Sequence, residues 1–343
     1  MKNRLIIFIG LLLVLTQAQA QRISSQSISK TGTTVAQFLK IGVSARSIGM
    51  GGAFVAVAND VSAIYTNPAG LALVDGFHAM FSHTNWIAGT NYDFGSFSLD
   101  LYDAGTLAFM VSAFSSGEME VRTVEQPDGT GERFSTQDFL IGISYARKLT
   151  TNFSIGFTGK YIYQKLWHMS AGAVALDVGL LYKTPFWGIN LGASIRNFGP
   201  KMQLDGRDIK FAADPDPGNV GNVSVVNAEY EMRNYDLPLY FQVGLAKDVL
   251  DNEYHRLTVA VDAVTPNDNY EAVNTGLEYG FKNMVFLRAG YKALFQDDTE
   301  EGLTLGAGLN IRLVGTTRLI LDYAYADLGR LPKSDRFSLI IQF

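Results

Sequence analysis

Arg336-Phe337-Ser338-Leu339-Ile340-Ile341-Gln342-Phe343 closes the chain. Side chains of a β-strand alternate between its two faces, which puts Phe337, Leu339, Ile341 and Phe343 on one side. The stretch stops on an aromatic with no polar tail behind it. Outer-membrane barrel proteins habitually finish this way, so the expectation is a membrane strand ending a closed sheet.

The same alternation runs upstream. From residue 76 it yields fourteen strands: 76–88, 92–101, 104–115, 137–147, 152–165, 171–184, 188–198, 237–248, 255–265, 271–281, 284–295, 302–313, 317–327 and 334–343. Most have the roughly 9–11 residues that a tilted membrane strand needs. If the last strand ends in the periplasm, every second connection should be a short turn. Val314-Gly315-Thr316, Lys282-Asn283, Asp251-Asn252-Glu253, Pro185-Phe186-Trp187, Leu149-Thr150-Thr151 and Asp103 fall on that side. The longest connections, 116–136 and 199–236, fall on the other, as does the acidic loop Asp297-Asp298-Thr299-Glu300-Glu301. Short periplasmic turns with long outer loops mark an outer-membrane barrel.

The faces sort as well. Leu303, Leu305, Ala307, Leu309, Ile311 and Leu313 share one side of a strand, and Thr304, Gly306, Gly308, Asn310 and Arg312 the other. The polar sides of the other strands collect Lys160, Asp177, Lys183, Arg196, Arg256, Asp262, Glu278, Arg288, Lys292, Arg318 and Asp322. A Lys or Arg on the lipid face near the midplane costs about 2–4 kcal/mol, so this sorting is under strong constraint. A large soluble β-sandwich would share the alternation but not the loop asymmetry.

Composition agrees. Charged residues are 18% of the chain, with 34 Gly, 16 Tyr and 22 Phe. That suits crowded lumenal positions and aromatic girdles. Mean hydropathy is near zero, too low for a bundle of membrane helices. At the N-terminus Lys2 and Arg4, the apolar Leu5–Leu15 and Ala18-Gln19-Ala20 read as a secretory signal cleaved after Ala20. Cleavage takes the net charge from −5 to −7, which argues against nucleic-acid binding. There is no cysteine, so neither disulfides nor a lipid-bearing Cys is available.

Residues 21–75 read differently. Gln21 to Gly32 is polar and Ser-rich, and Val35–Ile41 suits a short helix or strand. A run of small residues follows, containing Gly49-Met50-Gly51-Gly52-Ala53, Asn59-Asp60 and Asn67-Pro68-Ala69-Gly70. Glycines here admit close backbone approach, and Asn67-Pro68 starts a turn. A segment this small and apolar ahead of a barrel reads as a plug in its lumen. The expected division is therefore signal 1–20, hatch or plug 21–75 and barrel 76–343.

Arg46 with Gly49-Met50-Gly51-Gly52-Ala53, Asn59-Asp60 and Asn67-Pro68-Ala69-Gly70 resembles the N-terminal region of PorV/PorQ-family outer-membrane proteins. These are similar to the FadL-like group of long-chain fatty-acid transporters. The resemblance implies an all-β, fourteen-stranded antiparallel transmembrane barrel closed by an N-terminal hatch. The hatch motif would be Gly49, Gly51, Gly52, Asn67, Pro68, Ala69 and Gly70. It also implies the outer membrane of a Gram-negative, Bacteroidetes-like bacterium, and a role in type IX secretion.

No enzyme is expected: neither a Gly-x-Ser-x-Gly elbow nor His-Glu-x-x-His occurs. Gly49-Met50-Gly51-Gly52 lacks the strand–helix setting of a nucleotide loop. His78 and His83 fall on opposite faces and cannot share a metal. The acidic loop lacks the spaced ligands of a calcium loop, and Asp214-Pro215-Asp216-Pro217-Gly218 reads as a rigid turn. No cofactor or metal is expected. Arg288, Lys292, Arg312, Arg318 and Asp322 face the lumen on late strands. They would bind an anionic head group, or, as the favoured expectation, pair with each other and with the hatch. Besides outer-membrane lipid, two kinds of partner remain: a secretion translocon or surface cargo at the outer loops, or a hydrophobic ligand in the lumen.

Overall fold

A computed structural model describes residues 30–218, 225–296, 299–313 and 315–343. The signal sequence, the start of the N-terminal segment, Asp297, Asp298 and Val314 lie outside the described residues. Fourteen strands form the wall: β1 (Phe77–Asn85), β2 (Asn91–Asp100), β3 (Thr106–Glu120), β4 (Arg133–Thr150), β5 (Phe153–Leu166), β6 (Met169–Lys183), β7 (Ile189–Phe198), β8 (Tyr240–Asp251), β9 (His255–Pro266), β10 (Ala272–Phe281), β11 (Val285–Leu294), β12 (Leu303–Arg312), β13 (Arg318–Ala326) and β14 (Ser334–Gln342).

Each strand pairs antiparallel with its neighbours in sequence, and β1 closes on β14 with His78 opposite Gln342 and Asn85 opposite Asp335. Closure pairs every edge, which an uncovered sheet in hydrocarbon could not tolerate. The short turns gather at one end, Thr151–Asn152 and Lys282–Met284 among them. Lys282 and Asn283 both take positive φ, 52° and 53°, the conformation of a tight hairpin whose twist matches the strands. Short turns belong at the periplasmic face, and the connection 199–239 stands at the opposite, outer end.

Alternation holds around the wall. In β14, Phe337 points out and is 53% exposed, while Arg336, Ser338 and Ile340 are buried inside. Ile143, Val174, Leu245, Leu287 and Leu305 lie on the same outward face. An exposed apolar band of this extent is incompatible with water and matches hydrocarbon. Near the short-turn end Phe77 stacks on Phe97, and Phe97 on Phe109, with Phe343 beside Phe77. His83, on the outward face, meets Asp93 at 2.7 Å, whereas His78 turns inward.

One expected loop is strand at both ends. β3 and β4 continue as a hairpin to Glu120 and from Arg133, leaving only 121–132 to connect them. Above the bilayer both faces of a hairpin are wet, so apolar alternation fades although the ladder continues. Within 199–239, Lys210–Ala213 and Val226–Glu229 form a two-stranded ribbon.

The N-terminal segment fills the barrel. It carries a 3-10 turn at Gln37–Lys40, α1 (Ala45–Gly49), α2 (Ala63–Thr66) and a second 3-10 turn at Pro68–Leu73. Ser44 caps α1 by accepting from the Ser47 amide. Val55, Ala63, Ile64, Asn67, Ala69 and Leu71 are fully buried. This is the plug.

Candidate functional site

Where plug meets wall, glycines on the lumenal side bring the two backbones together. A Cβ on Gly192 of β7 would stand 2.3 Å from the Val55 carbonyl oxygen. On Gly276 of β10 it would lie 2.4 Å from the Met50 oxygen, and on Gly290 of β11 2.2 Å from the Gly51 nitrogen. Gly156 of β5 and Gly179 of β6 face Pro68 and Asn67 in the same way. The wall glycines pair across strands: Gly156 with Gly179, Gly192 with Gly244, Gly276 with Gly290. Only glycine permits this approach.

The hatch-motif residues divide between these contacts. Gly51 takes φ of 66° and its α-carbon faces Thr275 O and Tyr291 N, so both strain and space require glycine there. The Gly49 α-carbon touches Gly306 of β12. Asn67 donates to Val55 O at 2.7 Å and to Leu180 O at 3.0 Å, and its Oδ1 accepts from Ala69 N. Pro68 opens the second 3-10 turn, where its missing N–H is not needed. Gly70 packs against Ala58 O.

Charges lock the seam. Arg46 of α1 donates to Glu278 of β10 through Nε and Nη2, at 2.8 and 2.9 Å, and through Nη1 to Asp60 at 2.8 Å. Glu278 also accepts from Arg288 Nε at 2.7 Å, and Arg288 Nη1 donates to Asp322 at 2.6 Å. Asp60, Arg46, Glu278, Arg288 and Asp322 therefore form one alternating chain from plug to β13. Charge-assisted contacts of this length, deep in protein, are strong and directional. Beside it, Asp262 of β9 accepts from the Phe54 and Val55 amides at 2.7 and 2.9 Å and from Gln242.

The lumenal candidates therefore separate. Arg288 and Asp322 pair with each other and, through Glu278, with the plug. Lys292 lies toward the outer end in contact with Glu301. Arg318 borders a cavity of about 340 Å³ below the plug together with Arg46, Arg288 and Asp322. Arg312 is exposed at the short-turn end, donating to Gly315 O. Of the acidic loop, Glu300 accepts from Arg330 and Glu301 meets Lys292. Among the described residues no group of carboxylates or histidines could hold a metal ion.

Three features were not anticipated. Arg46 reaches a carboxylate 232 positions away, a partner no sequence spacing reveals. Lys160 of β5 donates to Asp177 at 2.8 Å and to Asn197 at 2.5 Å; Asn197 takes φ of 64° where the β6–β7 ladder shifts register. At the outer end Asp268, between β9 and β10, receives Thr34 at 2.6 Å, Gln37 at 2.9 Å and Lys40 at 3.1 Å.

The plug divides the interior. Above it lies a cavity of about 470 Å³ lined by Val35, Phe38, Ile41, Trp86 and Phe114 with Lys40, Asp138, Gln164 and Glu301. Below it lie the 340 Å³ cavity and another of about 240 Å³ next to Thr151, Asn152 and Lys183. Upper and lower cavities share no lining residue.

Known folds match this architecture. The CymD monoaromatic hydrocarbon channel superposes with a TM-score of 0.57 at 13% identity, covering 88% of this chain and 98% of that one. The Pseudomonas putida toluene transporter TodX gives 0.54 at 14% identity, over 88% and 97%. A Pseudomonas aeruginosa FadL homologue gives 0.53 at 14%, over 91% and 99%. At such identities the likeness is one of fold. No curated protein matches the chain. The family described as type IX secretion system protein PorV matches residues 24–213. That match spans more than half of the sequence, from ahead of the plug through β7, and the chain belongs to the PorV family of type IX secretion outer-membrane barrels.

Proposed function

We propose that this barrel serves type IX secretion as a closed surface platform: the plug keeps the lumen shut while the outer end engages the translocon and its cargo. One observation carries the reading beyond family membership. Plug and wall meet through buried ion pairs and backbone contact, and the cavities described above and below the plug share no lining residue. A barrel so closed presents surface rather than a passage. The outer end supplies it: the β3–β4 hairpin and the 199–239 connection, where Phe211 stacks on Tyr230 with ring centres 4.6 Å apart. In this reading residues 21–75 are the hatch and 76–343 the barrel, delivered to a Bacteroidetes-like outer membrane after cleavage following Ala20. The hatch motif and the Arg288–Asp322 pair hold the closed state. Affinity purification of the mature barrel, compared with a variant whose 207–231 tip is replaced by a short Gly-Ser linker, tests it. The full protein should retain translocon components and the variant lose them while remaining heat-modifiable in the membrane. Equal retention would remove the outer connection from the interaction.

A second reading has its own support. The cavity above the plug is lined by Val35, Phe38, Trp86 and Phe114, and would accept a hydrophobic molecule as in hydrocarbon channels of this fold. Growth of a deletion strain on long-chain fatty acids separates the readings: uptake requires a defect, a platform none.

A further inference from the structure

Arg336 faces inward on β14 and is 2% exposed. Its Nε donates to Thr84 Oγ1 on β1 at 2.7 Å, and among the described residues no carboxylate pairs with it. The other buried cations of the lumen are matched. Arg46 and Arg288 share Glu278, and Lys160 holds Asp177. Arg196 is only half-buried and directs its charge to Tyr65 O, Gln242 and the ring of Tyr240. Burying a guanidinium without a counter-charge is strongly unfavourable, and a neutral hydroxyl does not supply one.

Arg336 borders a small cavity, about 20 Å³, between plug and wall. Ile41 and Ile48 of the plug line it with Thr304, Lys292 and Glu301. Its carboxylates do not reach Arg336: Glu301 is taken by Lys292, and Asp327 is exposed and accepts from Gly329 N. Lys40, also at the cavity, is held by Asp268. Arg336 is therefore the buried charge at this pocket that lacks an ion-pair partner among the described residues, and there is room beside it for about one water-sized particle. Ile41, Trp86, Lys40 and Glu301 also line the 470 Å³ cavity, so the small pocket adjoins an apolar space.

We propose that Arg336 is the floor of a monoanion site: it takes either a free halide-sized ion or the carboxylate head of an acid whose chain rests against Val35, Phe38 and Phe114. The bound anion supplies the missing charge at the seam between plug and β14, so its occupancy tightens the outer half of the plug. This inference does not depend on the secretion role.

The test is thermal unfolding of the mature barrel in a maltoside detergent. At fixed ionic strength, sodium gluconate is replaced by chloride or bromide, and separately decanoate is titrated below its micellar concentration. The wild-type midpoint should rise saturably by several degrees with halide or with decanoate. Arg336→Met should abolish the shift, and Thr84→Val should move it to higher concentration. A halide response, with an anomalous bromide peak beside the guanidinium in crystals, assigns the free ion; a response to decanoate alone assigns the head group. If Arg336→Met does not fold, Thr84→Val and the bromide peak decide. A wild-type midpoint indifferent to every anion overturns the proposal, and so does a shift that persists undiminished in Arg336→Met.

Discussion

Arg46 and Glu278 meet through two hydrogen bonds, 2.8 and 2.9 Å, that tie the plug's first α-helix to β10. The same carboxylate takes Arg288, so one acidic group serves two buried cations from opposite sides of the seam. Removing one partner of such a set leaves uncompensated charge on side chains almost wholly withdrawn from solvent.

Glu278→Ala should therefore lower stability by about 3–5 kcal/mol, the range for breaking a buried ion pair. Urea unfolding in lipid vesicles measures it. Replacing Arg46, Glu278 and Arg288 by Met together with Asp60→Asn and Asp322→Asn should recover much of the loss, because no charge of the chain is then stranded. If this fivefold variant is as unstable as the single one, charge stranding is not the cause.

Gly290→Val introduces a Cβ 2.2 Å from the Gly51 nitrogen, with backbone on both sides and nothing free to rotate away. The plug should be displaced while the wall persists. Limited proteolysis should cut within residues 31–76 in this variant only, and planar-bilayer recordings should show current absent from wild type. Ala289→Val, on the outward face of the same strand, should behave as wild type.

Asp268 governs a pH response. Burial pushes its carboxyl up, but hydrogen bonds from Thr34 and Gln37 and the charge of Lys40 outweigh that and hold it below the ordinary carboxylate range. The stability it contributes is complete above the unfolded value and is lost as pH falls through the lowered one. Hydrogen exchange at the Leu39 and Ile41 amides, corrected for intrinsic rates, should stay protected at pH 6 and loosen only in strong acid. Asp268→Asn should show weaker protection at pH 6 and a flat pH profile.

Ala307 lies on the lipid face at the middle of β12, and Leu313 just past its short-turn end. Ala307→Lys should cost about 2–4 kcal/mol in vesicle refolding, and Leu313→Lys no more than about 1 kcal/mol. Equal costs would contradict the placement of the bilayer along this strand.

The wall was legible because period-two alternation is a local property. Leu303 to Leu313 declare their face to a reader who knows only the neighbouring residues, and the loop asymmetry follows from counting. The plug was legible as a class, from small residues around Gly51 and Asn67. Its fastening was not. Which glycines of β5 to β11 face Val55 or Met50 depends on register between strands far apart in sequence, and the Arg46–Glu278 pair depends on a fold already closed. The β3–β4 hairpin escaped for another reason: outside the bilayer, nothing forces apolar residues onto one side of a ladder. Arg336 was readable as inward-facing by parity, but that no carboxylate among the described residues pairs with it is a three-dimensional fact.

The glycine-lined contacts also limit movement. With Gly192, Gly276 and Gly290 leaving no clearance against the backbone of the plug, the plug has no room to slide along the barrel axis while the wall keeps its register.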